Sequence, residues 1–364
     1  MRSDSTTVLY RADGSPQIGT GHVIRGLILR RRLEALGARV VFVTRDLPWG
    51  LDKLRDAGCE VSVIPGNATP EQECELLRQL TRRIAADVCV MDVLETSEGQ
   101  TGAAKDAGCR VVCLDDVGPG RLNADAIINV LEVEPTRDAL AAKGIALYEG
   151  PRYMALTEQY EQPGIAERDI PSKVRRILIT LGGADPAGLA PKAARGVRLA
   201  LESKRAQDAF DAASVLLIIG SASHQRADIE AAVSGAQAPF TLVTNIPLLL
   251  PALREADLGI IAGGLTMHEV LAVGLPSIAL CQPVRHQAEL ARRFADQRAM
   301  LTLGPGAEVT EAEIAETVLT LASDVALRRR LADRGPQLVD GRGAQRTADI
   351  IWRTGRSNGP ESNS

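Results

Sequence analysis

Aromatic side chains make up only 3% of the 364 residues, so the cores of this chain must rest on Val, Ile, Leu and Ala rather than on stacked rings. Basic charge is not in excess either: 42 Lys and Arg stand against 46 Asp and Glu, a formal net charge of -4. That balance excludes a protein whose main partner is nucleic acid, because neutralising phosphates needs a basic surface. The local run Arg30 to Arg32 reads as the solvated face of a helix in preference to an anionic-membrane contact. No apolar stretch approaches the ~18 residues that span a bilayer, and no basic-then-apolar start resembles a signal peptide. The expectation is a cytoplasmic protein without stable membrane insertion. Cys59, Cys74, Cys89, Cys109, Cys113 and Cys281 show no paired metal-ligand spacing and read as reduced thiols. No set of His, Cys and carboxylates is spaced as a metal site, so neither metal nor cofactor is expected.

What is there is an alternation. Thr7 to Arg11, Ala38 to Thr44, Glu60 to Ile64, Val88 to Asp92, Arg110 to Asp115 and Ala126 to Val130 read as strands, the last of these closing the first sheet. Helical patterns lie between them at Gly21 to Leu36, Leu51 to Ala57 and Pro70 to Ala85. Continuous Val- and Ile-rich runs separated by helices are what a parallel sheet covered on both faces requires. The alternation restarts at Arg176 to Thr180 and continues through Val215 to Ile219, Phe240 to Val243, Leu258 to Ile261, Ser277 to Leu280 and Met300 to Leu303. At this length two domains are expected. They are read as 1–162 and 173–340, joined by a Pro- and Gly-containing linker at 163–172. A helix over 341–354 that can return to the first domain precedes a disordered tail, 355–364. Two such halves expose their strand carboxyl ends to a cleft, where open α/β sheets bind ligands.

Three glycine turns follow strands. The first carries Gly19, Gly21 and His22; its glycines admit close backbone approach, and the helix start beyond them favours an anion. His22 is a candidate general base, imidazole being the side chain that exchanges protons near neutral pH. Asp13, nine residues earlier, can orient His22, bind sugar hydroxyls, or form an Asx turn in its Gly-Ser-Pro loop. Asp92, Asp115 and Asp116 stand at strand ends as substrate contacts or caps. The three-glycine dinucleotide spacing is missing and the second strand ends Val43-Thr44-Arg45 without an acid, so a nicotinamide cofactor is not expected. The second turn is Gly182-Gly183, and the third is Gly263-Gly264-Leu265-Thr266-Met267-His268-Glu269. There Thr266 and Glu269 have capping-box spacing. Alternatively, amides near Leu265 and Thr266 hold a diphosphate while Glu269 accepts two ribose hydroxyls. His268 reads as packing, while His224 and His286 stay ambiguous.

Together these segments resemble the UDP-2,4-diacetamido-2,4,6-trideoxy-β-L-altropyranose hydrolases of pseudaminic acid biosynthesis, relatives of the MurG-type N-acetylglucosaminyltransferases. The opening motif is Arg11, Asp13, Ser15, Ile18, Gly19, Gly21, His22 and Arg25, followed by Asp115-Asp116, Asn129, and Gly150, Pro151 and Tyr153. The second half adds Gly182, Gly183 and Asp185, then Asn245-Ile246-Pro247, Gly263 to Glu269, Gln287, and Asp340 to Ala344. The resemblance implies an α/β, GT-B-like fold with two Rossmann-like parallel-sheet domains and an interdomain cleft. It implies hydrolysis of a UDP-linked amino sugar at the anomeric carbon, with His22 deprotonating water; Asp13 is the second candidate catalytic residue from its place in the loop, and a monomer is expected. Gly19, Gly21 and Arg25 would touch the donor, as would Gly182, Gly183, Asn245 and Gln287. Gly263, Gly264, Leu265 and Thr266 would hold phosphate, Ile246 the uracil, and Glu269 the ribose. The family's aromatic after the fourth strand is replaced by Asp92-Val93-Leu94, and Tyr153 is followed by Met154-Ala155-Leu156-Thr157, so the loops facing the sugar differ. A GT-B glycosyltransferase using a UDP-amino-sugar is the rival reading, expected to expose an apolar acceptor patch of which the sequence shows no sign. A nucleotide-sugar-binding protein without catalysis is a third.

Overall fold

Runs such as Val40 to Val43 and Val88 to Met91 are apolar at every position, which suits strands buried on both faces. In the computed structural model, which describes residues 5–15, 21–130, 137–244, 246 and 248–356, each becomes an interior strand of a parallel sheet. The chain divides into two units, Met1–Glu158 with Arg342–Ser364, and Gln159–Gly341.

The first unit contains β1 (Thr7–Ala12), β2 (Arg39–Arg45), β3 (Glu60–Ile64), β4 (Val88–Asp92), β5 (Arg110–Leu114), β6 (Ala126–Asn129) and β7 (Ala146–Glu149). Their order is β3-β2-β1-β4-β5-β6-β7, all parallel. Its helices are α1 (Gly21–Ala35), α2 (Pro48–Asp56), α3 (Pro70–Arg83), α4 (Glu98–Asp106) and α5 (Arg137–Ala141). The pleat sends alternate side chains to opposite faces. Val8, Tyr10, Val88 and Val90 share one core with α1, while Leu9, Cys89 and Met91 share the other with Leu77 and Ala104.

The strand β7 and the helices α4 and α5 are absent from the sequence reading. β6 is not the last strand: the four-residue β7 adds an edge beyond it, too short to show an apolar period. The glycine-containing α4 has little apolar patterning; a capping box, with Ser97 accepting from the Gln100 amide and Gln100 accepting from the Ser97 amide, fixes its start.

The second unit holds β8 (Val174–Thr180), β9 (Phe210–Ile219), β10 (Phe240–Thr244), β11 (Leu258–Ile261), β12 (Ser277–Cys281) and β13 (Leu301–Pro305). They run parallel in the order β10-β9-β8-β11-β12-β13. Around them lie α6 (Leu189–Leu201), α7 (Ala206–Ala209), α8 (Arg226–Val233), α9 (Leu250–Glu255), α10 (Leu265–Ala272), α11 (Arg285–Asp296), α12 (Glu311–Ser323) and α13 (Val325–Leu338). Residues 163–172, a linker by composition, fall inside this unit, with Ile165 and Ile170 buried. The final helix, α14 (Gly343–Arg356), packs on α1 in the first unit through Ala344, Ala348 and Ile351. Only Gly355 and Arg356 of the segment expected to be disordered are described, and they end this helix.

Both sheets have the same sense of winding. From its first strand each unit moves to the second and third on one side, then crosses back to place its fourth on the other. The crossing leaves a crevice at the carboxyl ends of the first and fourth strands, the place where doubly wound sheets bind ligands.

Candidate active site

In the first unit the crevice lies between β1 and β4, whose register pairs Ala12 with Asp92. Asp92 has the pleat parity of Val88 and Val90, so its side chain rises on the face covered by α1. There the imidazole of His22, in the first turn of α1, brings Nδ1 to 2.7 Å from Asp92 Oδ1. Asp92 is completely buried and accepts a second bond from the Tyr10 hydroxyl at 2.6 Å. Arg25, one turn along α1, donates Nε to Asp92 Oδ2 at 3.0 Å, and its two remaining nitrogens reach Asp92 and Asp115. Asp115 is itself held by the Val130 amide at 2.6 Å, with its backbone in the left-handed region at φ 47°.

The electrostatics follow from these contacts. Burial alone would raise the Asp92 carboxyl, but Arg25 and the His22 hydrogen bond outweigh it and hold it at about 2. An ionised Asp92 accepts at Oδ1, so it selects the His22 tautomer that donates from Nδ1, the one in which a neutral imidazole presents Nε2 as its acceptor. Tyr10 is shifted upward by burial and by Asp92, so its hydroxyl stays a donor. Gly26 permits this arrangement: a Cβ there would meet the Tyr10 and Phe42 rings at 2.8 Å.

Asp13 is therefore not the partner of His22. It has the parity of Arg11 and lies towards the opposite face, where it accepts from Arg11 Nη1 and Nη2 at 2.6 and 2.7 Å and from the Arg45 amide at 2.8 Å. Arg11 also bonds Glu73, making a buried ionic cluster beneath the sheet end. Arg25 is held by two carboxylates, Asp92 and Asp115. Asp116 caps a loop, accepting from the amides of Thr96 and Gly118 at 2.9 and 2.7 Å. Gly21 is exposed and open around its Cβ position; Gly19 lies outside the described residues.

The second unit builds its crevice from backbone. The register pairs Thr180 with Ile261, setting the turn after β8 beside the turn after β11. Gly182 adopts φ 91°, and a Cβ on Gly220 would lie 2.2 Å from the Gly183 carbonyl, so these segments touch without side chains between them. Asp185 supports the turn by accepting from the amides of Leu189 and Ala190 at 2.9 and 2.8 Å and from Gln282 at 2.6 Å. Gly264 starts α10 at φ 91° and ψ -144°, a conformation essentially confined to glycine. Among the described residues the amides of Leu265 and Thr266 give their hydrogens to no partner, as the first turn of a helix requires. Gln287 packs on Gly263, where a Cβ would come 2.4 Å from its own, and its Oε1 is buried without a hydrogen bond.

The capping box that the Thr266 and Glu269 spacing allows does not form. Gly264 is the cap, which places Thr266 inside the helix and Glu269 a full turn in. Glu269 Oε1 instead accepts from the Tyr160 hydroxyl at 2.9 Å. Burial raises the Glu269 carboxyl, while the Tyr160 and Thr266 hydrogen bonds oppose that shift. His268 is buried and packs edge-on against Phe294 at 5.3 Å. Ile246 is partly buried just past β10; Asn245 lies outside the described residues. Sequence reasoning missed two partners, Asp92 for His22 and Tyr160 for Glu269. The first was accessible from strand order combined with pleat parity; the second had no sequence signal.

Among the described residues no helix is long and apolar enough to cross a membrane, and no three His, Cys, Asp or Glu side chains cluster as a metal site. Residues 181–333 match the model of the Glycosyltransferase family 28 C-terminal domain. Over 344 residues the chain is 26% identical to the spore coat polysaccharide biosynthesis protein SpsG of Bacillus subtilis (strain 168), covering 93% of this chain and 96% of that one. MurG of Acinetobacter baumannii superposes with a TM-score of 0.73 at 18% identity, over 96% of this chain and 99% of its own. A co-structure of S. aureus MnaA with UDP superposes with a TM-score of 0.58 at 11% identity, covering 95% of this chain and 96% of that chain. The chain thus has the GT-B fold, and its second unit carries the match to a glycosyltransferase domain.

Proposed function

We propose that this protein is a glycosyltransferase that moves an amino sugar from a UDP-linked donor to a hydroxyl acceptor during glycan biosynthesis. The observation that carries the reading is the His22–Asp92 pair at the crevice of the first sheet, with Nε2 free to take a proton from a nucleophile. The second unit supplies the complementary part. Close-packed glycine turns and the start of α10 suit a diphosphate, and Glu269 suits the ribose.

A base of this kind activates water as readily as an alcohol. Transfer ranks above the hydrolysis implied by the opening motif because the family model is that of a glycosyltransferase and the Bacillus relative bears a polysaccharide-biosynthesis name. A further support is an exposed apolar patch that the sequence did not reveal. Leu94 and Val117 are 60% and 44% exposed on the loops after β4 and β5, linked by the Val117 amide donating to the Leu94 carbonyl at 2.9 Å. Exposed apolar side chains beside a reactive crevice suit an acceptor with an apolar portion.

The test is acceptor dependence. UDP-linked acetamido sugars, labelled in the sugar, are incubated with the protein alone and with lipid-linked glycan acceptors, and UDP, free sugar and glycosylated acceptor are separated. Transfer predicts label in the acceptor and little free sugar. Stoichiometric free sugar and UDP without acceptor would establish hydrolysis in its place.

A further inference from the structure

We propose that Tyr160 is a positioning residue for nucleotide recognition, holding one oxygen of Glu269 so that the other faces the ribose hydroxyls; this rests on the reading of the second unit as the UDP site. The two side chains are 109 positions apart, and the bond between them is 2.9 Å. A carboxylate needs such help because its terminal torsion is broad and nearly two-fold, so packing of the Glu269 stem does not by itself orient its oxygens. The Tyr160 donor, acting with the Thr266 hydrogen bond to the same carboxylate, removes that freedom and fixes the direction in which the remaining lone pairs accept from a ligand.

Tyr160 is built for a fixed role. Its side chain is among the largest fully buried ones in the chain. Its backbone is held as well: Gly341, at φ 77°, approaches so closely that a Cβ there would lie 2.1 Å from the Tyr160 carbonyl oxygen. Burial and the neighbouring Glu269 raise the phenol far above its ordinary range, so the hydroxyl remains the donor. The bond also favours the ionised form of Glu269 against the effect of burial. Removing the hydroxyl should therefore loosen the carboxylate and make it easier to protonate.

The experiment titrates UDP and 2′,3′-dideoxy-UDP against the full-length protein, Tyr160→Phe and Glu269→Gln across pH 5 to 8. Phenylalanine keeps the ring and its packing, and thermal melting of the ligand-free proteins checks the fold. A lost hydrogen bond to a charged group predicts about tenfold weaker UDP binding in Tyr160→Phe. The penalty should grow towards pH 5 and vanish with 2′,3′-dideoxy-UDP, which offers Glu269 no hydroxyls. Unchanged UDP affinity in Tyr160→Phe beside a weakened Glu269→Gln overturns the proposal, as does an equal penalty on both nucleotides. A full-length protein that binds the two nucleotides equally overturns the ribose reading of Glu269 itself, and the role of Tyr160 with it.

Discussion

The two units wind their sheets in the same order, yet each furnishes its own crevice with a different material. In the first, side-chain charge crowds the carboxyl ends of β1 and β4: His22, Asp92, Arg25 and Asp115 touch in sequence. In the second, the corresponding ends of β8 and β11 are lined by Gly182, Gly183, Gly220, Gly263 and Gly264, of which Gly220 and Gly263 leave no room for a Cβ. A fold sets where ligands go and leaves the chemistry to the residues at that place. Side chains that hold and move a proton suit the first unit, and exposed amides that hold an anion suit the second.

The sharpest way to break this division is at His22. His22→Ala should lower turnover by about a hundredfold or more while UDP binding by calorimetry stays within twofold of the full-length protein. A large loss of UDP affinity in that variant would dissolve the contrast. Gly264→Ala is the counterpart in the second unit, since the substitution meets φ 91° and costs about 1–3 kcal/mol of backbone strain at the start of α10. It should weaken UDP binding more than tenfold, with any residual turnover at saturating donor little changed.

Asp92→Asn sharpens the first half of the comparison. With no ionised carboxylate to hold the Nδ1 proton, turnover should fall by roughly tenfold to a hundredfold with donor affinity intact. Acid stability offers a second measurement. Because the folded Asp92 carboxyl is depressed from its ordinary 3.8 to about 2, its stabilising contribution is complete above the unfolded value and is lost as pH falls between the two. Denaturant midpoints should therefore drop less steeply from pH 4 to 2 in Asp92→Asn than in the parent. The smallest expected effect is on packing alone: Gly26→Ala pushes against the rings of Tyr10 and Phe42, so melting should fall by a few degrees, with a milder loss of turnover than Asp92→Asn.

Much of this division was legible early. Val-rich runs marked both parallel sheets, and two of the glycine turns follow strands with Gly182 and Gly264 at φ 91°, a backbone conformation that glycine adopts without strain. His22, Gly264 and Glu269 stand out by type and place. Their partners do not. Asp13 looked like the companion of His22 because it is near in sequence, but one position of pleat parity sends it to the Arg11–Glu73 side of the sheet. The capping-box spacing of Thr266 and Glu269 matched a local rule that Gly264 overrides by starting the helix earlier.

The sequence alone determined the alternation of strands and helices and the positions of the glycine turns, since periodicity and the steric freedom of glycine are local properties. Only the tertiary structure decided which carboxylate meets His22, which hydroxyl meets Glu269, and that Leu94 and Val117 stay in solvent. Those outcomes depend on strand order, register and burial, which join residues about 70 to 110 positions apart and leave no mark on either neighbourhood by itself.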